Sequence, residues 1–353
     1  MGLHHAVKYR SLEEVDLVAI VDRRMLRATE VAAQLGCKAF ESVDDLLASD
    51  LHIDAATVAT PTNSHYPIAT RLLQEGIHCI VEKPLALTST DARALVETAR
   101  GASRILLPGH IERFNPAVRS VRDRKGDFHY ITAYRVGPMS FRSVDTDVVL
   151  DVMTHDIDIA LFLTGCADAK VEVVRAFSSP ENINDIAKAE IRFGSCLADL
   201  VASRLAIARR RKMRLYASDG YYSIDCSQRS AVHLDRDRYV TGLRELHLYQ
   251  EMGREIAPDA IFAAVGAEHI ADPQRYGTDP LTEEIKYFLG LVNGTIDDDI
   301  LKAEDGVTVV AIAEAILRLC SPLNTFQAGV SFRAAHDSLS ATIEPEQPTV
   351  QKP

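Results

Sequence analysis

Residues 3–107 carry a regular beat of short apolar runs and amphipathic runs, and this alternation constrains the fold more than any other feature. Val15 to Val21 reads as a strand ending in Asp22, and Leu26 to Leu35 as a helix closed by Gly36. Ser42 caps a short helix, Val43 to Ala48, with Asp45 in its first turn. Ala55 to Ala59 is a second buried strand, broken at Thr60-Pro61, and the helix Pro67 to Glu75 stops at Gly76. Strand Ile77 to Val81 runs into Glu82-Lys83-Pro84, Thr88 caps a helix from Asp91 to Arg100, and Ile105 to Leu107 is a further strand. Strands this short between helices of two to three turns predict right-handed βαβ units and a parallel sheet.

After Pro108 the rhythm changes. A helix Asn115 to Asp123 precedes strand-like runs at Phe128–Val136, Val171–Phe177, Ala187–Phe193, Ser195–Ser203, Lys212–Ala217 and Tyr221–Asp225. Helices are expected at Val149–Leu163, Leu281–Val292 and Ala303–Leu319. The fold class is therefore α/β: a Rossmann-type parallel sheet, then an α/β domain with an open, mostly antiparallel sheet. The division expected is 1–108, 109–333, and a flexible tail at 334–353, where apolar periodicity gives way to Pro345, Pro348 and Pro353.

The chain has 353 residues, 47% apolar and 25% charged, with a net charge of −11. That is enough for two cores, and the acidic balance argues against a nucleic-acid partner. Its one basic run, Arg209-Arg210-Arg211-Lys212, reads either as a solvated strand end or as a patch for the phosphates of a nucleotide-linked substrate. The six cysteines form no C-x-x-C pair and read as reduced thiols. No apolar run approaches the about 18 residues of a membrane span, no signal peptide opens the chain, and Ala6 stands where a myristoylation motif wants Ser or Thr; the reading is a cytoplasmic protein.

Chemistry concentrates at strand ends, where open α/β sheets hold their ligands. Lys83 follows an apolar strand, so partial desolvation fits it to proton or hydrogen-bond work; the bland reading is a snorkelling surface lysine. Gly2 and Asp22 stand at the spacing of the third glycine and the ribose-binding acid of a dinucleotide fold. Asp22 favours NAD, and Arg23 beside it leaves NADP open; a helix N-terminal acid is the alternative. Thr60, Pro61, Thr62 and Asn63 close a strand at the same edge and can line a cofactor. Asp151 and His155 lie four apart in a helical pattern, where a carboxylate one turn away can orient an imidazole base. No third ligand for a metal is evident beside them, and Asp156 and Asp158 read as helix-surface charges.

Together these residues resemble the Gfo/Idh/MocA oxidoreductase family. The resemblance rests on Met1-Gly2-Leu3-His4-His5-Ala6, Ala59 to His65, Glu82-Lys83-Pro84-Leu85-Ala86, Asp151-Val152-Met153-Thr154-His155 and Glu304-Asp305-Gly306, and spans residue 1 to about 330. It implies NAD, with NADP possible, a sugar or sugar-nucleotide substrate, and a homo-oligomer (dimer or tetramer) assembled through the open sheet. It implies that Lys83 holds the reacting hydroxyl, His155 takes its proton and Asp151 orients His155. It also implies that His65, Glu82, Lys83 and Arg113 join the cofactor-binding residues, and that Arg135, His155 and Arg211 meet the substrate. Gly109 to Pro116, with Ser203-Arg204 and Arg211 to Arg214, resembles the branch that oxidises the 3-hydroxyl of UDP-N-acetylglucosamine on the way to modified lipid A.

The first strand and first two glycines of the expected phosphate loop do not precede Gly2. The expectation is a start placed about ten residues late in a Rossmann frame, with a damaged homologue as the other reading. Two further classes are a non-catalytic sugar-nucleotide or cofactor-binding regulator, and a metal hydrolase built on His155, His110 and acids.

Overall fold

The computed structural model describes residues 1–139, 146–178, 183–251, 261 and 264–320. The tail expected at 334–353 lies outside the described residues. Helix α1 (Gly2–Ser11) comes first, with no side-chain cap at its N-terminus. Strands β1 (Ala19–Val21) and β2 (Lys38–Phe40) pair in parallel across α2 (Met25–Leu35), which ends on Gly36 at φ 72°. That left-handed conformation is one glycine adopts freely. β1 is shorter than its apolar run because the chain turns first, with Val15 N–H donating to the Leu12 carbonyl at 3.3 Å. Helix α3 (Val43–Leu47) is capped by Ser42, whose Oγ accepts from Asp45 N at 3.1 Å.

A separate three-stranded parallel sheet follows, in the order β3 (Ala55–Val58), β4 (His78–Glu82), β5 (Leu106–Gly109). Helices α4 (His65–Gln74) and α5 (Ser89–Gly101) connect these strands and bury Leu72, Leu73 and Leu95 against Cys79 and Val81. Each such leucine stabilises the fold by about 1.5–3 kcal/mol. Central β4 is buried along nearly its whole length, so its last residues are rigidly placed.

The second half is built on an eight-stranded sheet, β13-β12-β11-β10-β6-β9-β8-β7. The strands are β6 (Phe128–Val136), β7 (Ala169–Ser178), β8 (Asn184–Phe193), β9 (Cys196–Ser203), β10 (Arg210–Ala217), β11 (Gly220–Asp225), β12 (Ser230–Asp235) and β13 (Ala267–His269). All pairs are antiparallel except β6 with β9. Period-two alternation sends Ala187, Ala189, Ile191, Ala198 and Leu200 inward, where α7 (Thr154–Thr164) packs. β12 escaped the sequence reading because a buried His233 occupies one inward position, and the helix Arg236–Glu251 because it has no apolar stripe.

The helix expected over Val149–Leu163 is composite: a π-helical turn, Val149–Met153, followed by α7. The helix Ala303–Leu319 packs on α5, α7 and β7 and so joins both halves. A Cβ at Gly306 would stand 3.0 Å from both Leu85 and Pro108, so this helix meets the Lys83 turn at a contact only glycine permits without rearrangement.

Candidate active site

β4 delivers Lys83 to the carboxyl edge of the parallel sheet through a cis Lys83–Pro84 peptide bond. Its Nζ donates to the Asp151 backbone carbonyl and, at 3.0 Å, to the Asp151 carboxylate. The lysine is thus anchored to the π turn that leads into His155. The Asp151 carboxylate, expected on His155, is directed to Lys83, whereas Nδ1 of His155 is buried and has no hydrogen-bond partner among the described residues. Burial, with Lys83, Arg135, Arg211 and His110 nearby, holds the His155 imidazole well below the usual histidine range. It is neutral at pH 7 and can receive a proton.

Glu82 sits behind the lysine. It is buried and bonds His5 Nε2 of α1 at 2.9 Å. Burial pushes its carboxyl up, but the bond to His5 and the charges of His5 and Lys83 outweigh that and hold it below the usual range. Glu82 therefore ties α1 to the end of β4 as an ionised group. His65 is likewise buried, its ring nitrogens 2.9 Å from the carbonyls of Pro84 and Thr60. Both residues, read as cofactor-binding from the sequence, brace the site from behind.

The expected arginines divide. Arg113 is buried in a knot with Asp158 (2.7–2.8 Å), Asp305 (2.7 Å) and the Ile300 carbonyl (2.9 Å). Arg135 is buried between Asp156 (2.9 Å) and Glu112 (2.8 Å). The side chains foreseen at cofactor and substrate are thus committed to internal ion pairs, and Asp156 and Asp158, read as surface charges, are their buried partners. Arg211 stays half-exposed, 3.9 Å from Glu112. Arg209 and Arg210 are exposed, and Lys212 lies 3.4 Å from Asp225. Removing one member of a buried pair strands the other, so Arg135→Ala is expected to cost about 3–5 kcal/mol in denaturant unfolding. An unchanged midpoint would contradict this placement.

The carboxyl ends of β1 and β3, in the two parallel sheets, offer what a dinucleotide needs. Asp22 stands just after β1, its Oδ1 accepting from Arg24 N at 3.0 Å and its side chain still partly exposed. Arg23 beside it is exposed. The uncapped N-terminus of α1 lies beside the end of β3, where a Cβ at Gly2 would meet Ala59 at 3.7 Å. That is ordinary contact, so space at this position does not require glycine. Thr60, Pro61 and Asn63 are exposed at this end and Thr62 half-exposed, with Ser64 Oγ donating to Thr60 Oγ1 at 2.9 Å. Free helix N–H groups for phosphate, an acid for ribose and a polar strand end fit a nicotinamide dinucleotide. Among the described residues, no three His, Cys, Asp or Glu side chains are grouped to hold a metal.

Gly109 and Glu284 have structural roles that the sequence reading did not assign. A Cβ at Gly109 would stand 2.9 Å from Glu82 Cα, so Gly109→Ala is expected to cost about 1–3 kcal/mol and lower turnover by displacing the Lys83 turn. Wild-type stability and activity in that variant would rule this out. Glu284, fully buried with neither carboxylate oxygen bonded among the described residues, shares the apolar stripe of Leu281, Ile285 and Phe288. That 3.6-residue spacing was the signal available for it.

The NAD-binding Rossmann-fold model of the Gfo/Idh/MocA oxidoreductases matches residues 1–110. The chain is 38% identical over 227 residues to UDP-N-acetylglucosamine 3-dehydrogenase of Acidithiobacillus ferrooxidans, covering 64% of this chain and 71% of that one. It is 26% identical over 273 residues to myo-inositol 2-dehydrogenase of Thermotoga maritima, covering 72% and 81%. A solved structure of the A. ferrooxidans enzyme superposes with a TM-score of 0.73 at 31% identity, over 90% of this chain and 93% of that one. On these grounds the chain belongs to the Gfo/Idh/MocA family of NAD-binding oxidoreductases.

Proposed function

We propose that the protein oxidises the 3-hydroxyl of a UDP-N-acetylhexosamine, in the manner of the UDP-N-acetylglucosamine 3-dehydrogenase that it resembles. The observation that carries this reading is the convergence of Lys83 with the Asp151–His155 segment at the carboxyl edge of the sheet. Lys83 is a cation tied to that segment, and His155 is a neutral imidazole close to it. NAD held at the Asp22, α1 N-terminus and Thr60–Asn63 edge would supply the hydride acceptor for the carbinol carbon.

The chain's own residues supply the rest. Lys83, shifting from Asp151 to the sugar hydroxyl, stabilises the oxygen as it takes on alkoxide character. Asp151 keeps the ammonium aimed. His155 accepts the hydroxyl proton, so an O–H and a C–H bond break while the carbonyl forms. Half-exposed Arg211 and exposed Arg209 and Arg210, at the start of β10, are suited to a diphosphate. Exposed Tyr134 and Tyr216, with half-buried Tyr130 stacked on Tyr216 at 5.8 Å, support assembly into a homo-oligomer through the open sheet.

The test is NAD reduction at 340 nm with UDP-N-acetylglucosamine, free N-acetylglucosamine and myo-inositol compared. Turnover is expected with the nucleotide sugar and at least a hundredfold weaker kcat/KM with the free sugar, as about 3 kcal/mol of diphosphate contact would give. Equal use of the free sugar or of inositol would defeat the substrate assignment. Cofactor binding without turnover on any of them would favour a regulator.

A further inference from the structure

The reaction releases a proton at His155, and once substrate and cofactor cover the cleft that proton needs a way out. Behind His155 the structure gathers buried polar atoms that have no hydrogen-bond partner among the described residues. They are both ring nitrogens of His110, Oδ2 of Asp158, both oxygens of Glu284 and Nδ1 of His155 itself. Groups so placed each cost about 1–3 kcal/mol if left dry, and a buried water needs two to four such partners.

Their positions follow from the fold. β4 and β5 pair with Glu82 opposite Gly109, so Lys83 and His110 step off neighbouring strands side by side. The missing Cβ at Gly109 permits this approach. His110 is 1% exposed, and its Nδ1 lies 3.9 Å from Asp158 Oδ2. Asp158 follows His155 by three residues on α7 and shares its face. Glu284 comes from the helix Pro280–Val292, which packs on the turn Ile111–Phe114 immediately after His110. The charged and titratable groups around His110 are Asp158 and His155 from α7, Arg113 from that turn, Asp305 from the helix Ala303–Leu319 and Lys83 from β4.

We propose that His110 is a positioning residue that acts through His155, passing the proton taken from the substrate into a hydrated polar seam lined by Asp158 and Glu284. The inference rests on the reading of His155 as the base. The substrate O–H proton goes to one His155 nitrogen and the hydride to NAD. His155 releases a proton from Nδ1 through water to one nitrogen of His110, and His110 releases one from the other nitrogen into the seam. One proton enters and one leaves, and each histidine ends neutral. Burial holds His110 below the usual histidine range, which suits a carrier that keeps no proton. Burial, with Glu82 and Asp158 near, pushes the Glu284 carboxyl well above the usual carboxylate range, which favours a proton on this wall of the seam.

The experiment compares wild type, His110→Phe, Glu284→Gln and His155→Asn with UDP-N-acetylglucosamine and NAD, in H2O and D2O, with protium or deuterium at the oxidised carbon. His110→Phe is expected to lose on the order of tenfold to a hundredfold in kcat at unchanged KM for NAD. Its solvent isotope effect should rise while the effect of carbon deuteration shrinks, because proton departure becomes limiting. Glu284→Gln, which keeps shape and hydrogen bonding, should show the same redistribution more weakly and serves if His110→Phe does not fold. A variant that loses kcat with both isotope effects unchanged, or keeps full kcat, overturns the relay. If His155→Asn retains wild-type turnover, the base assignment fails instead, and the two failures are separable.

Discussion

Lys83→Ala is expected to lower kcat by about a thousandfold while NAD binding, followed by calorimetry, stays within a few fold of wild type. The magnitude is that of losing one preorganised donor to a developing oxyanion. The selectivity expected for kcat follows from geometry: Nζ is engaged with Asp151 at the end of β4, whereas the groups proposed to hold the cofactor are Asp22, the α1 N-terminus and Thr60 to Asn63. Its Nζ bonds Asp151, whose side chain is 28% exposed, so loss of the lysine leaves no fully buried charge behind. Turnover within tenfold of wild type would remove Lys83 from the chemistry.

His155→Asn should cost a hundredfold to ten-thousandfold in kcat, the range for removing a general base. The pH dependence gives a sharper check. His155 works when deprotonated, and its environment lowers its proton affinity, burial first and the Lys83 charge second. Rising pH therefore empties its proton below the ordinary histidine value of about 6.5. Oxidation should accordingly be flat in kcat/KM from about pH 6.5 upward through neutrality and fall on the acid side. Removing the Lys83 cation takes away one cause of the depression, so the His155 midpoint read by NMR should move up in Lys83→Ala. A wild-type midpoint above 7, or no upward movement in the variant, would contradict the electrostatics described.

The parallel sheet was legible because β3, β4 and β5 are short apolar runs between Gly-stopped helices, and β4 carries four consecutive buried residues before Lys83. Strand and helix ends shifted by one or two residues, as hydrogen-bonding details decide them. Lys83, Asp151 and His155 stand out by type and spacing, but the pairing of the Asp151 carboxylate with Lys83 does not. That pairing depends on how the β4 end and the π turn meet, which is a long-range contact that no local period encodes. For Arg113 and Arg135 the resemblance implies ligand contacts, whereas the packing of α7 engages them with Asp158 and Asp156, partners that no local pattern announces. Buried acids on α7 are hard to see from sequence because that helix is buried on nearly every side, leaving no polar face as a reference.

The most direct test of the account uses UDP-N-acetylglucosamine carrying deuterium at carbon 3, with NAD as acceptor and the reduced cofactor analysed by mass spectrometry. The account predicts one deuterium in the reduced nicotinamide and a slower turnover than with the protium substrate. Reduced cofactor containing only protium would place oxidation at another carbon, and no reduced cofactor from a folded, NAD-binding protein would contradict the proposed activity.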